Sequence, residues 1–297
     1  MHSDALIDAA DHAMRHWNSN EPGQIKRGSQ AHKRLFCRML LDTHNPYKPA
    51  VMHWPELSPD ALQRITCLPI WDIAVQTEGR AQLHVLTYAN TVQDPLLREA
   101  LAMDGGEEAR HKVVLSKLVE AYGIALEPEP IYRVPKDPEW GWLVTGYSEC
   151  IDSFFAFGLF QSAKLTGYFP AELVDTFEPV IQEEARHILF FANWVSWYRR
   201  QLTGWQRLKF EFKVLRVWLF LIWERIGIAK GLDGNAEMQN ANFTLAGHDQ
   251  IGLDLKLPQL LDLCLAEDQR RMEGYDKRLL RPTFVPGLAR LARRFMR

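Results

Sequence analysis

The pentamer EEARH occurs twice in this chain, at 107–111 and at 183–187. A single Glu-x-x-His is a weak signal because it arises often by chance, whereas an identical charged pentamer repeated within one chain is a much stronger one. In each copy the second glutamate stands three residues before the histidine, so on a helix both side chains project from one face, one turn apart. The repeat therefore predicts two helices that each offer two metal ligands. The four residues are Glu108, His111, Glu184 and His187.

The residues after each histidine are apolar, VVL in the first copy and ILFF in the second. An apolar continuation favours partial burial of the glutamate and histidine over an exposed helix face on which Glu and Arg pair at the surface. The surface alternative stays open from the sequence alone. Gly105, Gly106 and Pro179 precede the two copies, and such residues either bend a helix beside a metal or serve ordinary helix packing.

Four helices are predicted around the repeat from caps, breakers and apolar periodicity. Their expected ranges are 70–90, 94–123, 141–165 and 171–200. No stretch alternates long enough to demand a β-strand, so we expect an all-α fold. The proline-rich segment 123–139 cannot continue a helix, and at about 3.3 Å per extended residue it is long enough to cross the length of a bundle.

Each of the other two predicted helices carries rare acidic residues. Glu78 is the only acid of its helix after Asp72, and the third helix carries Glu149 and Asp152. An acid in an apolar helix is normally buried only when it is paired or bound to a cation, although capping or an arginine partner would also explain one. Counting about 1.5 Å per residue from the turns brings the first acid level with the first EEARH, and leaves Glu149 about one turn from level with the second.

The ordered pattern Glu, Glu-x-x-His, Glu, Glu-x-x-His resembles the ferritin-like di-iron carboxylate superfamily. The resemblance covers about residues 70–200 and implies a four-helix bundle with one long crossover. We accordingly expect a helical extension at 1–68, the di-metal bundle at 69–203, and a C-terminal helical extension with a basic amphipathic tail at 204–297. The implied metal-binding and catalytic residues are Glu78, Glu108, His111, Glu149, Glu184 and His187.

Four carboxylates and two imidazoles suit iron or manganese, whereas thiolates would favour zinc or copper(I). The four cysteines lie far apart, form no CxxC pair and are expected to be reduced thiols. We therefore expect two iron ions, with manganese as the alternative at one or both sites, and O2 as co-substrate. A rubrerythrin-like peroxidase is disfavoured without CxxC pairs for a second iron centre, so electrons would come from a separate donor.

The resemblance implies an oxygen-activating oxidoreductase of the hydroxylase, desaturase or N-oxygenase type. Its substrate would be a hydrophobic or aromatic small molecule or a carrier-bound acyl group, and the aromatic residues after the candidate ligands either line an apolar pocket or form plain core. These residues are Phe154, Phe155, Phe157, Phe160, Phe190 and Phe191. Thr145 and Ser153, one turn either side of Glu149, are candidate hydrogen-bond donors to bound oxygen.

Two other functions remain open. A ferritin-like ferroxidase or iron-storage subunit would use the same ligands, although the long extensions make a cage harder to build. A metal-free helical scaffold would require the six-residue pattern to be a coincidence. The formal net charge of -2 excludes a generally basic nucleic-acid-binding protein.

The sequence also bears on location. The N-terminus has acids and histidines where a secretory signal needs an apolar stretch, so we expect a cytoplasmic protein. The apolar segment 213–229 is interrupted by Arg216 and Glu224, which favours a core or interfacial helix over a membrane span.

The C-terminal sequence FVPGLARLARRFMR predicts an amphipathic helix with Leu288, Leu291, Ala292 and Phe295 on one face and arginines largely opposite. Such a helix would contact the inner membrane surface or an acidic carrier protein, or it would pack on its own domain. A homodimer is a further expectation that the sequence does not decide.

Overall fold

The computed structural model describes residues 3–49, 54–68, 70–231 and 256–296. These residues form helices and no β-strand, with one isolated bridge between Trp17 and Tyr275. The all-α prediction is confirmed for the described part of the chain. The helices are α1 (Asp4–Arg15), α2 (Gln30–Asp42), α3 (Pro59–Thr66), α4 (Trp71–Ala89), α5 (Pro95–Ala121), α6 (Pro138–Thr166), α7 (Ala171–Gln201), α8 (Gly204–Gly231), α9 (Leu257–Glu273) and α10 (Phe284–Phe295).

Local signals set the ends of the long helices. The Asp94 side chain accepts a hydrogen bond of 2.9 Å from the Leu97 amide, with Pro95 in the first turn, and this cap begins α5. Gly167 ends α6 in the left-handed conformation, with φ of 64°, which a glycine adopts at no steric cost. The four helices predicted from such signals, α4 to α7, are confirmed to within a few residues at each end.

The helices α4 to α7 pack together as two pairs. Short links at 90–94 and 167–170 join α4 to α5 and α6 to α7, and the long connection at 122–137 joins the pairs. α4 also packs on α6, and α5 contacts α7. Gly105 permits a close approach of α4 and α5, because a Cβ atom there would lie 2.7 Å from the Leu86 side chain. The packing alternative therefore explains this glycine.

Helices from both ends of the chain flank this group. α2 packs against α5 and α7, and α9 packs against α6 and α7. The apolar side of α2 contributes buried residues such as Phe36 and Leu40 to the same core as Trp142 and Trp194. The region predicted as an N-terminal extension thus lies directly on two of the helices that carry candidate ligands.

No helix in the described ranges is long and apolar enough to cross a membrane. The segment 213–225 belongs to α8, whose Val217 and Leu221 are buried while a row of its large apolar side chains is exposed. The predicted C-terminal helix is present as α10 and packs through Pro286 and Ala289. Its apolar residues Leu288, Leu291 and Phe295 are exposed, and the partner of that face stays a prediction.

Candidate metal centre

The structure brings all six sequence-predicted ligands together. Their ligand atoms form two groups, and within each group these atoms lie within 4.8 Å of one another. The first group is Glu78, Glu108, His111 and Glu184, and the second is Glu108, Glu149, Glu184 and His187. Each group could hold a metal ion. Glu108 and Glu184 belong to both groups, so they lie between the two places where an ion would fit.

The two histidines turn the same ring nitrogen toward this cluster. His111 Nδ1 lies 3.1 Å from Glu184 Oε1 and 3.6 Å from Glu78 Oε2. His187 Nδ1 lies 2.9 Å from Glu108 Oε1. The histidine of each EEARH copy therefore lies beside a glutamate of the other copy, and His111 also lies near Glu78 of α4. The cluster draws its residues from α4, α5 and α7, and α6 contributes Glu149.

The other nitrogen of each histidine contacts the first glutamate of the opposite pentamer. Glu183 Oε2 lies 2.8 Å from His111 Nε2, and Glu107 Oε2 lies 2.8 Å from His187 Nε2. An Nε2–H donated to a carboxylate leaves the Nδ1 lone pair available for a metal and fixes the ring orientation. The first glutamate of each copy is therefore a positioning residue for the histidine of the other copy.

The arginines complete the same crossed arrangement. Arg186 donates to both carboxylate oxygens of Glu107, at 3.0 and 2.9 Å, and Arg110 donates to Glu183. Every charged position of the pentamer thus has a role. The first glutamate holds the histidine of the opposite copy, the second glutamate is a candidate ligand, and the arginine compensates the charge of the first glutamate of the opposite copy. The Glu-x-x-His spacing points only to the second glutamate and the histidine, although repetition of the whole pentamer was a signal for the first glutamate and the arginine as well.

The end of α2 supplies partners that sequence analysis missed. The Leu40 carbonyl and Thr43 Oγ1 accept hydrogen bonds from Arg186 at 2.6 and 2.7 Å. His44 Nδ1 lies 2.7 Å from Glu107 Oε1, and the Asn45 carbonyl accepts from Arg110 at 2.7 Å. The only local signal was the polar run DTHN that directly follows the amphipathic α2, and its long-range partners are not encoded in that run.

Burial and crowding of like charges shift the pKa values of the cluster. Burial, together with the nearby Glu184, raises the pKa of Glu108 well above its ordinary value. Burial and the Glu108 carboxylate do the same to the pKa of Glu149. Burial alone would lower the pKa of His111, but the neighbouring carboxylates of Glu183 and Glu184 outweigh burial and raise it. The metal-free cluster therefore retains protons that a bound cation would displace.

Buried ligand atoms without well-formed hydrogen bonds are consistent with bound cations. Four candidate ligand atoms are buried and make no hydrogen bond of good geometry, although His187 Nδ1 and Glu108 Oε1 lie only 2.9 Å apart: Glu108 Oε1, His111 Nδ1, Glu149 Oε1 and His187 Nδ1. Buried polar atoms normally have a partner, so these atoms call for one. Metal–ligand bonds of about 2.0–2.2 Å separate opposite ligand atoms by roughly 4 Å, which is compatible with ligand atoms that lie within 4.8 Å of one another. The residues present fit a pair of metal ions.

A cavity of about 380 Å³ borders the cluster, with Glu78, Glu108, Glu149 and Glu184 in its wall. The remaining wall is mainly apolar, with residues such as Trp71, Ala156, Leu159, Leu173 and Phe177. Thr145 and Ser153 also line it, and Ser153 Oγ lies 3.4 Å from Glu184 Oε2.

Of the six phenylalanines that the sequence offered as pocket or core, Phe160 lines the cavity. Phe154, Phe157, Phe190 and Phe191 are buried in the core, so the core alternative holds for these four.

Comparison with known proteins gives no family: no family model matches the chain, and no curated protein or solved structure matches it significantly.

Proposed function

We propose that this chain is a ferritin-like di-iron oxidoreductase that uses O2 to oxidise a hydrophobic substrate. The observation that carries the proposal is the apolar cavity whose wall contains four of the six clustered ligands. A bound organic molecule would lie directly beside the metals. Iron storage requires no apolar chamber of this kind at the metal site, which favours oxidation of an organic substrate over the ferroxidase alternative.

The protein's own residues have distinct roles in this proposal. Glu108 and Glu184 lie between the two ion positions and would hold both ions, while Glu78 with His111 and Glu149 with His187 would complete one site each. Bound iron would supply the electrons and Lewis acidity needed for O2 reduction. Four carboxylates balance two divalent ions, so little net charge is buried when both are bound.

The residues around the candidate ligands hold the site in place. Glu107 and Glu183 hold the histidine rings with Nδ1 facing the cluster, and the arginines compensate the two buried glutamates. Ser153 and Thr145 line the cavity, and the Thr145 hydroxyl also contacts His84 Nδ1 at 3.0 Å; either hydroxyl would be suited to orient a polar atom of a bound molecule. Since the sequence contains no CxxC pair for a further iron centre, a separate protein would donate electrons.

The proposal is tested by loading the anaerobically purified chain with ferrous iron and measuring metal content, O2 consumption and organic products. We expect about two iron ions per chain and O2 consumption that requires both a reductant and an apolar substrate. Glu149→Ala should lower both iron content and product. Glu172→Ala changes an exposed glutamate on α7 and serves as the matched control, with wild-type values expected.

Two outcomes would overturn the proposal in different ways. Failure to bind iron, manganese or zinc above one-tenth of the expected content would leave a metal-free scaffold. Build-up of ferric mineral without an oxidised organic product, across apolar and aromatic substrates, would instead support the ferroxidase alternative.

A further inference from the structure

The cavity runs past the carboxylate cluster and does not end at it. Along α6 its wall extends from Val144 to Ala163, which corresponds to about 29 Å at 1.5 Å per residue. Glu149 lies about 8 Å from the first of these residues and about 21 Å from the second on the same measure. The cluster therefore borders an elongated apolar space between its two ends, nearer the end at Val144 than the end at Ala163.

A second cavity of about 630 Å³ adjoins that near end. It shares Arg80, His84, Val144 and Glu224 with the apolar cavity, so the two spaces have a common wall. Its charged lining is mostly basic. The basic residues are Arg80, Lys136, Lys209, Lys213 and Arg216, and the acidic ones are Asp137 and Glu224.

The basic residues differ in how far they are already neutralised. Lys213 Nζ lies 2.6 Å from Asp137 and 2.7 Å from Glu139, so its charge is compensated. Arg80 and Lys136 are exposed, and within the part of the chain that the structure describes neither forms an ion pair. An excess of positive charge therefore remains at the mouth of an apolar cavity.

We propose that the ligand of these cavities is an amphipathic anion, with its anionic head among Arg80, Lys136 and Lys209 and its apolar chain along α6. Because the ligand's apolar chain passes the carboxylate cluster, one of its interior carbons lies nearest to Glu149. The far end of the ligand lies toward Ala163. This deepens the proposed function by naming its substrate class, and its site of oxidation rests on that function. Binding of the anion does not depend on metal.

The first test compares head groups on one chain length, using the unaltered full-length protein with and without iron. Binding of hexadecanoate, hexadecyl phosphate, hexadecanol and hexadecyltrimethylammonium is measured by calorimetry below their micelle concentrations. We expect one or both anions to bind about fivefold more tightly than the alcohol at low salt, and the preference to shrink as salt screens the mouth. A preference for phosphate over carboxylate, or the reverse, identifies the head group. Equal binding of all four, or tighter binding of the cation, overturns the proposal.

The second test locates the head. The double variant Arg80→Ala/Lys136→Ala should weaken hexadecanoate binding about fivefold and leave hexadecanol binding unchanged. Arg98→Ala/Lys117→Ala removes the same charge from two exposed positions on α5 that line neither cavity, and should bind both ligands normally. Equal weakening by both double variants would mean that only net charge matters and would refute the assigned mouth.

A third test locates the apolar chain of the ligand. Ala163→Trp fills the far end of the cavity and should weaken hexadecanoate but not octanoate, with folding checked by thermal melting. Equal binding of hexadecanoate by this variant and the wild type would refute the path along α6. If anions bind as expected but no oxidation occurs, the proposed function fails and this inference stands. If iron and O2 react with a substrate but the head-group preference is absent, the proposed function stands and this inference fails.

Discussion

The two EEARH copies have the same sequence but lie in different surroundings. Arg186 of the second copy is fully buried and donates to Glu107, Thr43 and a carbonyl of α2. Arg110 of the first copy has 22% of its side chain exposed and donates to Glu183 and the Asn45 carbonyl. The ligand frame is therefore nearly symmetric, whereas the environment that supports it is not.

This difference comes from α2 and from one acid. The end of α2 encloses the Glu107 pair, where His44 adds a third partner. α5 also carries Asp104, which lies four residues before Glu108 and 3.8 Å from His187 Nε2, whereas α7 has Val180 at the corresponding position. Identical motifs can thus contribute unequally to stability, because the cost of removing a charge depends on what remains buried around it.

The largest effect is expected where the copies are equivalent, at the shared ligands. Glu108→Ala or Glu184→Ala should remove both metal ions, because each residue belongs to both ligand groups. Glu78→Ala and Glu149→Ala should each remove mainly one. Metal content by mass spectrometry, with helix content followed by circular dichroism, measures this. Full metal content in Glu184→Ala would contradict the assignment, and Glu120→Ala on the exposed side of α5 is the control.

The arginines should separate the copies most clearly. Arg186→Leu should lower the free energy of unfolding by about 3–5 kcal/mol, since it leaves Glu107 buried with less compensation. Arg110→Leu should cost about 1–2 kcal/mol, because its half of the network reaches solvent. Urea denaturation of the metal-free protein measures both.

Adding Glu107→Gln to Arg186→Leu should recover part of the lost stability, since the uncompensated charge is gone. This double variant also covers the case in which the single variant does not fold. Equal costs for the two single arginine variants would show that the surroundings do not matter.

The crossed histidine contacts give a third, smaller effect. Glu107→Gln should weaken the ion position that contains His187, and Glu183→Gln the one that contains His111, each by about 10- to 100-fold in metal affinity. Stepwise metal titration with anomalous diffraction at each position identifies which ion is lost. If Glu107→Gln instead weakened the position that contains His111, or Glu183→Gln the position that contains His187, the crossed support would be disproved.

Asp104 should give a smaller effect than Arg186, and one that depends on pH. Burial raises its pKa to about 6, so its folded-state pKa exceeds the unfolded value and its protonated form stabilises the fold. That stabilisation is complete below pH 4 and is lost as the pH rises through 6. Asp104→Asn should therefore raise the stability of the metal-free protein at pH 7–8 by about 1–3 kcal/mol and change little at pH 4.

The measurement is urea denaturation across pH 4–8. The exposed Asp175 offers the same substitution as a control without the buried environment. A uniform shift at all pH values, or no shift at pH 8, would show that Asp104 is not held protonated by burial.

The helices and the six candidate ligands were predictable because their signals are local. Asp94-Pro95 caps a helix from within one turn, and the three-residue spacing of Glu108 and His111 puts both on one face wherever that helix lies. Register between helices was less predictable. Residue counting left Glu149 about one turn from level with Glu184, yet the two share a ligand group, because counts along separate helices omit their tilt and offset.

By itself the sequence determined which residues form helices and which face of each helix carries acid and imidazole, since helical periodicity is a property of neighbours in the chain. The tertiary structure alone decided that Glu107 and Glu183 support the opposite histidines and that Leu40 and Thr43 accept hydrogen bonds from Arg186. It also decided that most of the phenylalanines near the candidate ligands are core, while other apolar residues such as Trp71 and Leu159 line the cavity. Those features join residues far apart in the chain. Their partners are chosen by how the helices pack, and no spacing within a single helix encodes that choice.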